Sequence, residues 1–227
     1  MTTAAEWTFT FVDLAGFTAL TEAHGDETAV DQVSRFYDLV RVSLSGSSHL
    51  VKQIGDAVLI ASDESEDAVT TVASLMTVVD QEANFPLIRA GLHTGTAVRS
   101  TNKGSPDYLG SGVNVAARAT AQARGRQVLL TETAARPLDQ SKWPLRRLGP
   151  THFHNVPVPI EMFELIIHGD QDGEVDPVCR MRIPPNGVIA FLRHGDHEYV
   201  FCSIDCVGAF ASHPDRYIRS EGDESGR

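Results

Sequence analysis

Basic residues are scarce in this sequence: 19 Lys and Arg stand against 30 Asp and Glu, which gives a formal net charge of -11. A surface of that sign repels nucleic-acid phosphates and anionic lipid headgroups, so neither is expected as a main partner. No stretch reaches the roughly 20 apolar residues that span a bilayer. The N-terminal MTTAAEWTFTF lacks the basic and apolar regions of a secretory signal. These absences predict a soluble, cytoplasmic protein.

Cysteine is missing from the first four fifths of the chain, because the three cysteines are Cys179, Cys202 and Cys206. Their odd number argues against a closed disulfide framework. The composition predicts a large first domain, residues 1–167, in which strand-like and helix-like segments alternate. A polar linker over 168–174, a small cysteine-containing unit over 175–218 and a disordered tail over 219–227 are expected to follow.

The pattern of the first domain predicts an α+β fold rather than a doubly wound one. Two apolar runs on either side of a Gly-Asp turn, HLVKQIGDAVLIAS at 49–62, predict a β-hairpin. DESEDAVTTVASLMTVVDQEA, after the hairpin, predicts an amphipathic helix with acidic residues at its N-terminal end. LIRAGLHTGTAV predicts a strand pair or one bent strand, and GSGVNVAARATAQA predicts a helix capped by Ser111. Hairpins beside alternating helices favour a mixed or antiparallel sheet.

Two aspartates stand where predicted strands end. Asp13 follows the β-rich run 7–12, and Asp56 lies at the corner of the 49–62 hairpin. Carboxylates from neighbouring strands can converge on Mg²⁺, which takes one or two of them together with substrate phosphates. The AGFT segment after Asp13 would offer backbone N–H groups to an anion. The alternative is that Asp13 caps the next helix and Asp56 is an ordinary turn residue.

Three further polar residues have unusual surroundings. Asn114 and Arg118 are four residues apart and therefore project from one face of the predicted helix, an arrangement that suits a phosphoryl group gaining charge. The alternative is a surface arginine beside a helix-start asparagine. Arg89 is a cation among apolar strand residues and needs an anionic partner, either an internal carboxylate or a ligand phosphate.

Four segments, FVDLAGFT, VKQIGDAVLIAS, IRAGLHTG and DYLGSGVNVAARA, resemble in order and spacing the motifs of the class III nucleotidyl cyclase catalytic domain. The resemblance covers roughly residues 7–166. It implies a ferredoxin-like, palm-type domain with a mixed, largely antiparallel sheet and flanking helices. The implied enzyme is a class III adenylate cyclase, a phosphorus–oxygen lyase that converts ATP to 3′,5′-cyclic AMP and pyrophosphate.

The resemblance also carries the family's roles onto positions of this sequence. It implies metal binding by Asp13, Asp56 and the Leu14 backbone, adenine binding by Lys52 and Asp107, transition-state stabilisation by Asn114 and Arg118, and phosphate binding by Gly16, Phe17, Thr18, Arg89 and His154. His154 stands where the family has a lysine. The donor and acceptor of the Lys/Asp pair match adenine rather than guanine. The family uses two Mg²⁺ or Mn²⁺ ions per site and builds each site between two domains, so a homodimer is implied.

The C-terminal segment DPVCRMRI…YVFCSIDCVGAFASHPDRYI resembles the YHS family of small, TRASH-like cysteine modules. A unit of this size has a marginal core, for which a metal is a common staple. Cys179, Cys202 and Cys206 are soft ligands suited to Zn²⁺ or copper, with His194, His197 and His213 as candidates for a fourth ligand. The alternative is three reduced cysteines that pack a small core.

The sequence therefore predicts a homodimeric adenylate cyclase whose C-terminal module responds to a metal or to a regulator of unknown identity. One alternative is a catalytically weak, cyclase-like dimer that binds nucleotides and serves signalling. Another makes metal or redox sensing through the module the main task, with cyclase output serving it.

Overall fold

A computed structural model describes residues 4–102, 105–167, 174–184 and 186–218. The predicted tail and residues 168–173 of the predicted linker lie outside these ranges. The elements in chain order are β1 (Ala4–Leu14), α1 (Phe17–Ser43), β2 (His49–Ile54), β3 (Ala57–Ser62), α2 (Ser65–Asp80), β4 (Ile88–Asn102), β5 (Ser105–Leu109), α3 (Ser111–Gln122), β6 (Val128–Thr131), α4 (Glu132–Ala135), β7 (Leu145–Thr151), β8 (Ile160–Leu165), β9 (Glu174–Val175), β10 (Arg182–Ile183), β11 (Ala190–His194), β12 (His197–Phe201), α5 (Ile204–Ser212) and α6 (Pro214–Tyr217).

The chain forms two compact units whose boundary differs from the predicted one. The first unit comprises Met1–Leu14, Arg35–Asp80 and Ile88–Gly169, and the second comprises Ala15–Ser34, Gln81–Leu87 and Asp170–Arg227. The sequence predicts one domain for all residues up to 167. Residues 15–34 belong instead to the second unit, because their apolar side chains share its core. Residues 81–87 belong to it as well, since Pro86 forms a β-bridge with Met181 and the Arg182 amide donates to the Phe85 carbonyl at 3.1 Å. That core includes Leu20, Ala29, Val178, Cys179, Met181, Phe201, Cys206 and Phe210.

The first unit is built on a mixed sheet of eight strands in the order β2-β3-β1-β4-β6-β8-β7, with β5 paired to β4. Only β4 and β6 run parallel among its strand pairs in the described residues. The α+β class with a mixed, largely antiparallel sheet is thereby confirmed. The segment predicted as a strand pair or bent strand is one strand of 15 residues, β4.

The predicted hairpin and the helix after it are both present. Strands β2 and β3 pair antiparallel around the Gly55–Asp56 turn, and the last five residues of β3 are buried. Helix α2 buries one apolar stripe and carries Glu66 and Asp67 in its first turn, where acidic groups favour the helix dipole. The apolar runs on either side of the turn and the helical apolar stripe were therefore reliable signals here.

Helix α3 packs closely against β1 and β4. A Cβ atom added at Gly91 would lie 2.2 Å from the backbone nitrogen of Thr120, and the Thr120 hydroxyl donates to the Phe11 carbonyl at 3.2 Å. The predicted cap is wrong in detail. Ser111 is the first helical residue, Gly110 holds the N-cap position, and no side chain caps the helix.

The second unit contains two small antiparallel sheets, β9 with β10 and β11 with β12, followed by α5 and α6. Helix α1 contributes its first part and is kinked at Gly25, which has a non-helical backbone with φ of 82°. The rings of Tyr199, Phe201 and Tyr217 surround Phe210, which is fully buried. None of the helices in the described residues is both long and apolar enough to cross a membrane.

Gly91→Ala tests the close contact between α3 and β4. The added methyl group would meet backbone atoms, which cannot move aside as a flexible side chain can. We expect a loss of unfolding free energy of about 3 kcal/mol, measured by urea denaturation. Gly208→Ala is the matched control, because a Cβ at that helical position meets no atom within 4 Å. A Gly91→Ala protein as stable as the control would contradict this packing.

Candidate functional site

Asp13 and Asp56 converge at one end of the sheet, as predicted. Asp13 is the penultimate residue of β1, and in the sheet register it lies opposite Ala57, the first residue of β3. The Leu14 amide donates to the Asp56 carbonyl at 3.2 Å. The central position of β1 therefore brings an aspartate of that strand beside the hairpin turn.

The two carboxylates interact strongly. Burial raises the pKa of Asp56, and the Asp13 charge and a hydrogen bond with the Asp13 side chain raise it further. On the opposite side, β4 places Arg89 across from Asp13. The Arg89 guanidinium donates to Asp13 Oδ2 from Nε at 2.9 Å and from Nη2 at 2.6 Å. Of the two alternatives for Arg89, the structure shows the internal carboxylate.

Tyr37 holds the hairpin turn that carries Asp56. Its hydroxyl donates to the Gly55 carbonyl, and its pKa is raised, first by burial and then by the Asp56 charge. The local sequence does not indicate Tyr37 as part of the site, since the contact joins helix α1 to a turn 18 residues away.

The acidic pair suits a hard divalent cation. Two carboxylates that repel each other in a partly buried site are stabilised when a cation lies between them, and oxygen ligands are what Mg²⁺ and Mn²⁺ prefer. Asp13 and Asp56 supply such oxygens, and the backbone of Leu14 is adjacent, since its amide is hydrogen-bonded to the Asp56 carbonyl. The residues present therefore fit the predicted metal site.

Lys52 and Asp107 form an ion pair. The distance from Lys52 Nζ to Asp107 Oδ1 is 2.7 Å, and the two side chains are 39% and 25% exposed. The Lys52 hydrogen bond and one from the Tyr108 amide lower the pKa of Asp107. Both bonds end on Oδ1, which among the described residues leaves Oδ2 open to a ligand. The pair predicted to bind adenine is thus assembled and accessible.

Two local features position this pair. A β-bulge interrupts the β2–β3 register between Leu50 and Lys52, and bulges commonly re-aim the side chains that follow them. Tyr108 is 1% exposed, packs edge-on against Trp7 and Phe9, and its hydroxyl bonds with His49 Nε2 at 3.0 Å. Tyr108 was missed in the sequence analysis, although a bulky aromatic residue directly after Asp107 is the signal that could have found it.

Asn114 and Arg118 lie together on the outer side of α3. The buried residues of this helix are Gly112, Val115, Ala116, Ala119 and Thr120. Asn114 is exposed and Arg118 is half-buried, so both project away from the sheet that α3 covers. Residues in this orientation are available to a second molecule rather than to the interior of their own chain.

The residues predicted to bind phosphate are spread over both units. Gly16 and Thr18 are exposed at the start of α1, whereas Phe17 packs against the core of the second unit. Only the backbone of Phe17 is thus suited to a phosphate. His154 is exposed in the loop between β7 and β8, next to the buried Phe153.

The three cysteines meet in the second unit, and His24 joins them. The ligand atoms of these four residues all lie within 4.8 Å of one another. The three histidines proposed from the sequence, His194, His197 and His213, are not part of this cluster. The candidate for the fourth ligand is instead His24, which lies 155 residues before Cys179 in the chain and which the sequence did not indicate. Hydrogen bonds from Cys179 and Cys202 lower the pKa of Cys206, which favours a thiolate in the cluster.

Comparison with known proteins identifies the first part of the chain. Residues 1–166 match the family model described as adenylate and guanylate cyclase catalytic domain. The chain is 32% identical over 168 residues to a pH-sensitive adenylate cyclase of Mycobacterium tuberculosis, covering 71% of this chain and 41% of the relative. The chain thus spans less than half the length of that relative.

Solved structures show the same fold. A monomeric adenylate cyclase of Trypanosoma brucei matches with a TM-score of 0.64 and 25% identity, covering 70% of this chain and 89% of the other. The adenylyl cyclase CyaB of P. aeruginosa matches with a TM-score of 0.63 and 20% identity, covering 74% and 97%. Since the family model covers well over half of the 227 residues, the chain belongs to the family of adenylate and guanylate cyclase catalytic domains.

Proposed function

We propose that this protein is an adenylate cyclase that converts ATP to 3′,5′-cyclic AMP and pyrophosphate. The observation that carries the proposal is the pairing of the key residues: Asp13 with Asp56, and Lys52 with Asp107, each pair made by residues distant in sequence. A fold shared with cyclases would not by itself require these side chains to meet. The named adenylate cyclase relatives support the same activity.

The Lys52–Asp107 pair favours adenine over guanine. Lys52 donates to the ring nitrogen of adenine, while Asp107 accepts from the exocyclic amine, for which Oδ2 is available. Guanine presents a carbonyl and a ring N–H at that edge, so a donor and an acceptor would each meet a group of the same kind. Mismatched polar groups left buried and unpaired are the usual source of strong discrimination.

Asp13, Asp56 and the backbone of Leu14 would hold the divalent ions of the reaction, two Mg²⁺ or Mn²⁺ ions for each site. When bound, such ions lower the pKa of a coordinated hydroxyl and neutralise charge on a polyphosphate. Arg89 orients Asp13 through its two hydrogen bonds, and its Nη1 donates to the Ala123 carbonyl at 3.3 Å. Because Arg89 is engaged in these bonds, the triphosphate is assigned to the start of α1 at Gly16–Thr18 and to His154.

The reaction is an intramolecular displacement. The ribose 3′-oxygen loses its proton and forms a bond to the α-phosphorus, while the bond from that phosphorus to the bridging oxygen breaks and pyrophosphate leaves. Asn114 and Arg118 would donate hydrogen bonds to the oxygens that gain charge in the transition state. No covalent intermediate with the protein is formed, so catalysis rests on positioning and electrostatic stabilisation.

The site is proposed to be shared between two copies of the chain in a two-fold symmetric dimer. Asn114 and Arg118 project outward from α3, which fits residues that act on a nucleotide held by the partner. Two large apolar residues, Ile54 and Leu109, are 45% and 63% exposed, and each lies two positions from a member of the base-binding pair. Exposed apolar residues beside a polar site are typical of an interface.

A second candidate function keeps the dimer and the nucleotide but not efficient turnover. It is favoured by His154, an exposed histidine at the position of the family's phosphate-binding lysine. Conversion of ATP to cyclic AMP in the presence of Mn²⁺ separates the two functions. Binding of ATP without any product would favour the second.

Complementation between two inactive variants tests the shared site. Asp13→Ala removes a proposed metal ligand, and Arg118→Ala removes a proposed hydrogen-bond donor to the transition state. Each homodimer should therefore lose nearly all activity. Mixed dimers contain one intact site, and random exchange should restore roughly a quarter of wild-type activity. Arg136→Ala, at an exposed arginine, is the control that should remain active. Mixed dimers without any recovery would contradict a site made by two chains.

Exchanging the base-binding pair tests the choice of nucleotide. Lys52→Glu together with Asp107→Cys should shift the ratio of kcat/KM for GTP to that for ATP by roughly tenfold or more towards GTP. The comparison with each single variant separates a change of preference from a general loss. An unchanged preference for ATP in the active double variant would remove the assigned role of this pair.

The raised pKa of Asp56 predicts that its ionised carboxylate lowers the stability of the fold when no metal is bound. Its pKa is raised in the folded protein, so ionisation of Asp56 destabilises the fold as pH rises above the ordinary Asp pKa. Asp56→Asn should therefore raise the melting temperature at pH 7 without divalent ions, and the gain should vanish at acidic pH. Mn²⁺ should stabilise the wild type more than the variant.

Asp63→Asn is the control for this measurement, because Asp63 is an exposed acidic residue just after the same hairpin. It should change neither the melting temperature nor the response to Mn²⁺. An Asp56→Asn variant that is less stable than the wild type at pH 7 without metal would show that Asp56 stabilises the fold instead.

A further inference from the structure

The cysteine–histidine cluster of the second unit consists of His24, Cys179, Cys202 and Cys206. Cys179 and Cys206 are fully buried, and His24 and Cys202 are half-buried. No disulfide joins the three cysteines. The ligand atoms of the three thiols and the imidazole all lie within 4.8 Å of one another. These distances are far shorter than apolar packing requires.

The distances within the cluster match those of a tetrahedral metal centre. Zn–S bonds of about 2.3 Å and Zn–N bonds of about 2.0 Å, arranged tetrahedrally, separate two sulfurs by about 3.8 Å and a sulfur from a nitrogen by about 3.5 Å. Cys202 Sγ lies 3.5 Å from Cys179 Sγ and 3.9 Å from Cys206 Sγ. His24 Nε2 lies 3.7 Å from the sulfurs of both Cys202 and Cys206.

We propose that His24, Cys179, Cys202 and Cys206 bind one Zn²⁺ ion, with His24 as the fourth ligand. Four protein ligands complete a tetrahedral shell and leave no position for water or substrate, which is the pattern of a structural zinc site. Soft thiolates exclude Mg²⁺ and Mn²⁺, so this site is chemically separate from the carboxylate pair Asp13 and Asp56.

Asp176 organises the two loops that carry the cysteines. It is fully buried, and its Oδ1 accepts from the amides of Val178 and Cys179 at 2.8 and 3.2 Å. Its Oδ2 accepts from the amide of Cys202 at 2.9 Å. A buried carboxylate that ties both ligand loops together is a positioning residue for the site, because the cysteines it orients are far apart in sequence.

His24 and Cys206 are both presented by helix ends. His24 directly precedes Gly25, where the helical backbone of α1 is interrupted. Cys206 lies in the first turn of α5, whose N-cap Ser203 accepts from the Cys206 amide at 3.1 Å. The positive end of the α5 dipole favours a thiolate there. The ion would thereby join the first part of α1 to the cysteine-bearing segment.

Metal binding to the full-length, reduced chain tests this proposal without any enzymatic assay. Cobalt titrated into metal-free protein should give the absorption of tetrahedral thiolate coordination, this signal should saturate at one equivalent per chain, and Zn²⁺ should abolish it. His24→Ala should weaken Zn²⁺ binding by at least tenfold, and Asp176→Asn should weaken it roughly 10- to 100-fold. The matched control is His197→Ala, at an exposed histidine outside the cluster, which should bind like the wild type.

X-ray absorption of the zinc-loaded wild type keeps the test independent of how the variants fold. Three sulfur neighbours and one nitrogen neighbour are expected. No zinc bound at one equivalent, a shell without nitrogen, a preference for copper alone, or a disulfide between two of the cysteines in the protein as purified would each overturn the assignment. Unchanged affinity in His24→Ala would overturn the role of His24.

A separate observation links this site to nucleotide binding. Arg180 follows Cys179 directly and has a left-handed backbone, with φ of 62° and its amide donating to the Asp176 carbonyl at 3.0 Å. Its side chain lies next to Gly16, where an added Cβ would be 2.6 Å from Arg180 Cγ. Non-glycine residues in this conformation are costly and cluster at functional sites.

We infer from this contact that zinc, by fixing Cys179, holds Arg180 against the start of α1 and improves ATP binding there. This second inference rests on the proposed function. Removal of zinc by a zinc-selective chelator should raise the KM for ATP severalfold with little change in kcat. Arg180→Ala, which retains the Cβ atom, should still bind zinc but lose the effect of zinc on KM.

Calorimetry with a non-hydrolysable ATP analogue distinguishes a failure of the coupling between zinc and ATP binding from a failure of the proposed function. Zinc binding with an unchanged affinity for the analogue would overturn the coupling and leave the zinc site intact. A protein that binds neither ATP nor the analogue would overturn both the proposed function and the coupling. The cobalt and X-ray results would still decide the zinc site by itself.

Discussion

The placement of two like charges at the end of one sheet is the constraint on which the proposed site depends. Burial and the Asp13 charge raise the pKa of Asp56, and a folded chain keeps such a pair of carboxylates only where other groups compensate. Arg89 on the neighbouring strand and the hydroxyl of Tyr37 beside the turn supply part of that compensation. A divalent cation would supply the rest, so metal binding and local stability are coupled.

The remaining parts of the site follow from the scaffold around this pair. The antiparallel partners of β1 are β3, which brings the hairpin turn to Asp13, and β4, which brings Arg89. The bulge before Lys52 on the same hairpin and the buried Tyr108 next to Asp107 on β5 assemble the Lys52–Asp107 pair that is proposed to bind the base. Regular strand pairing thus delivers the charged residues, while local irregularities orient them.

The second unit contains more than the C-terminal segment that carries the cysteines. The first part of α1, residues 81–87 and the C-terminal segment share one compact body. The segment that follows Asp13 in the chain therefore has side chains packed with those of the cysteine-bearing segment. An ion bound at the cysteines would share this core with Phe17, which lies within the segment Gly16–Thr18 proposed to bind phosphate.

The amino-acid sequence by itself determined the α+β class, the hairpin, helices α2 and α3, and the candidate residues for metal and base binding. These depend on local periodicity, on turn chemistry and on side-chain types at short spacings, all of which are visible in one dimension. Only the tertiary structure decided that Asp13 is the partner of Arg89, that Tyr37 supports the turn, and that His24 joins the cysteines. His24 and Cys202 are 178 residues apart, and no local pattern encodes a contact that arises when distant segments pack into one core.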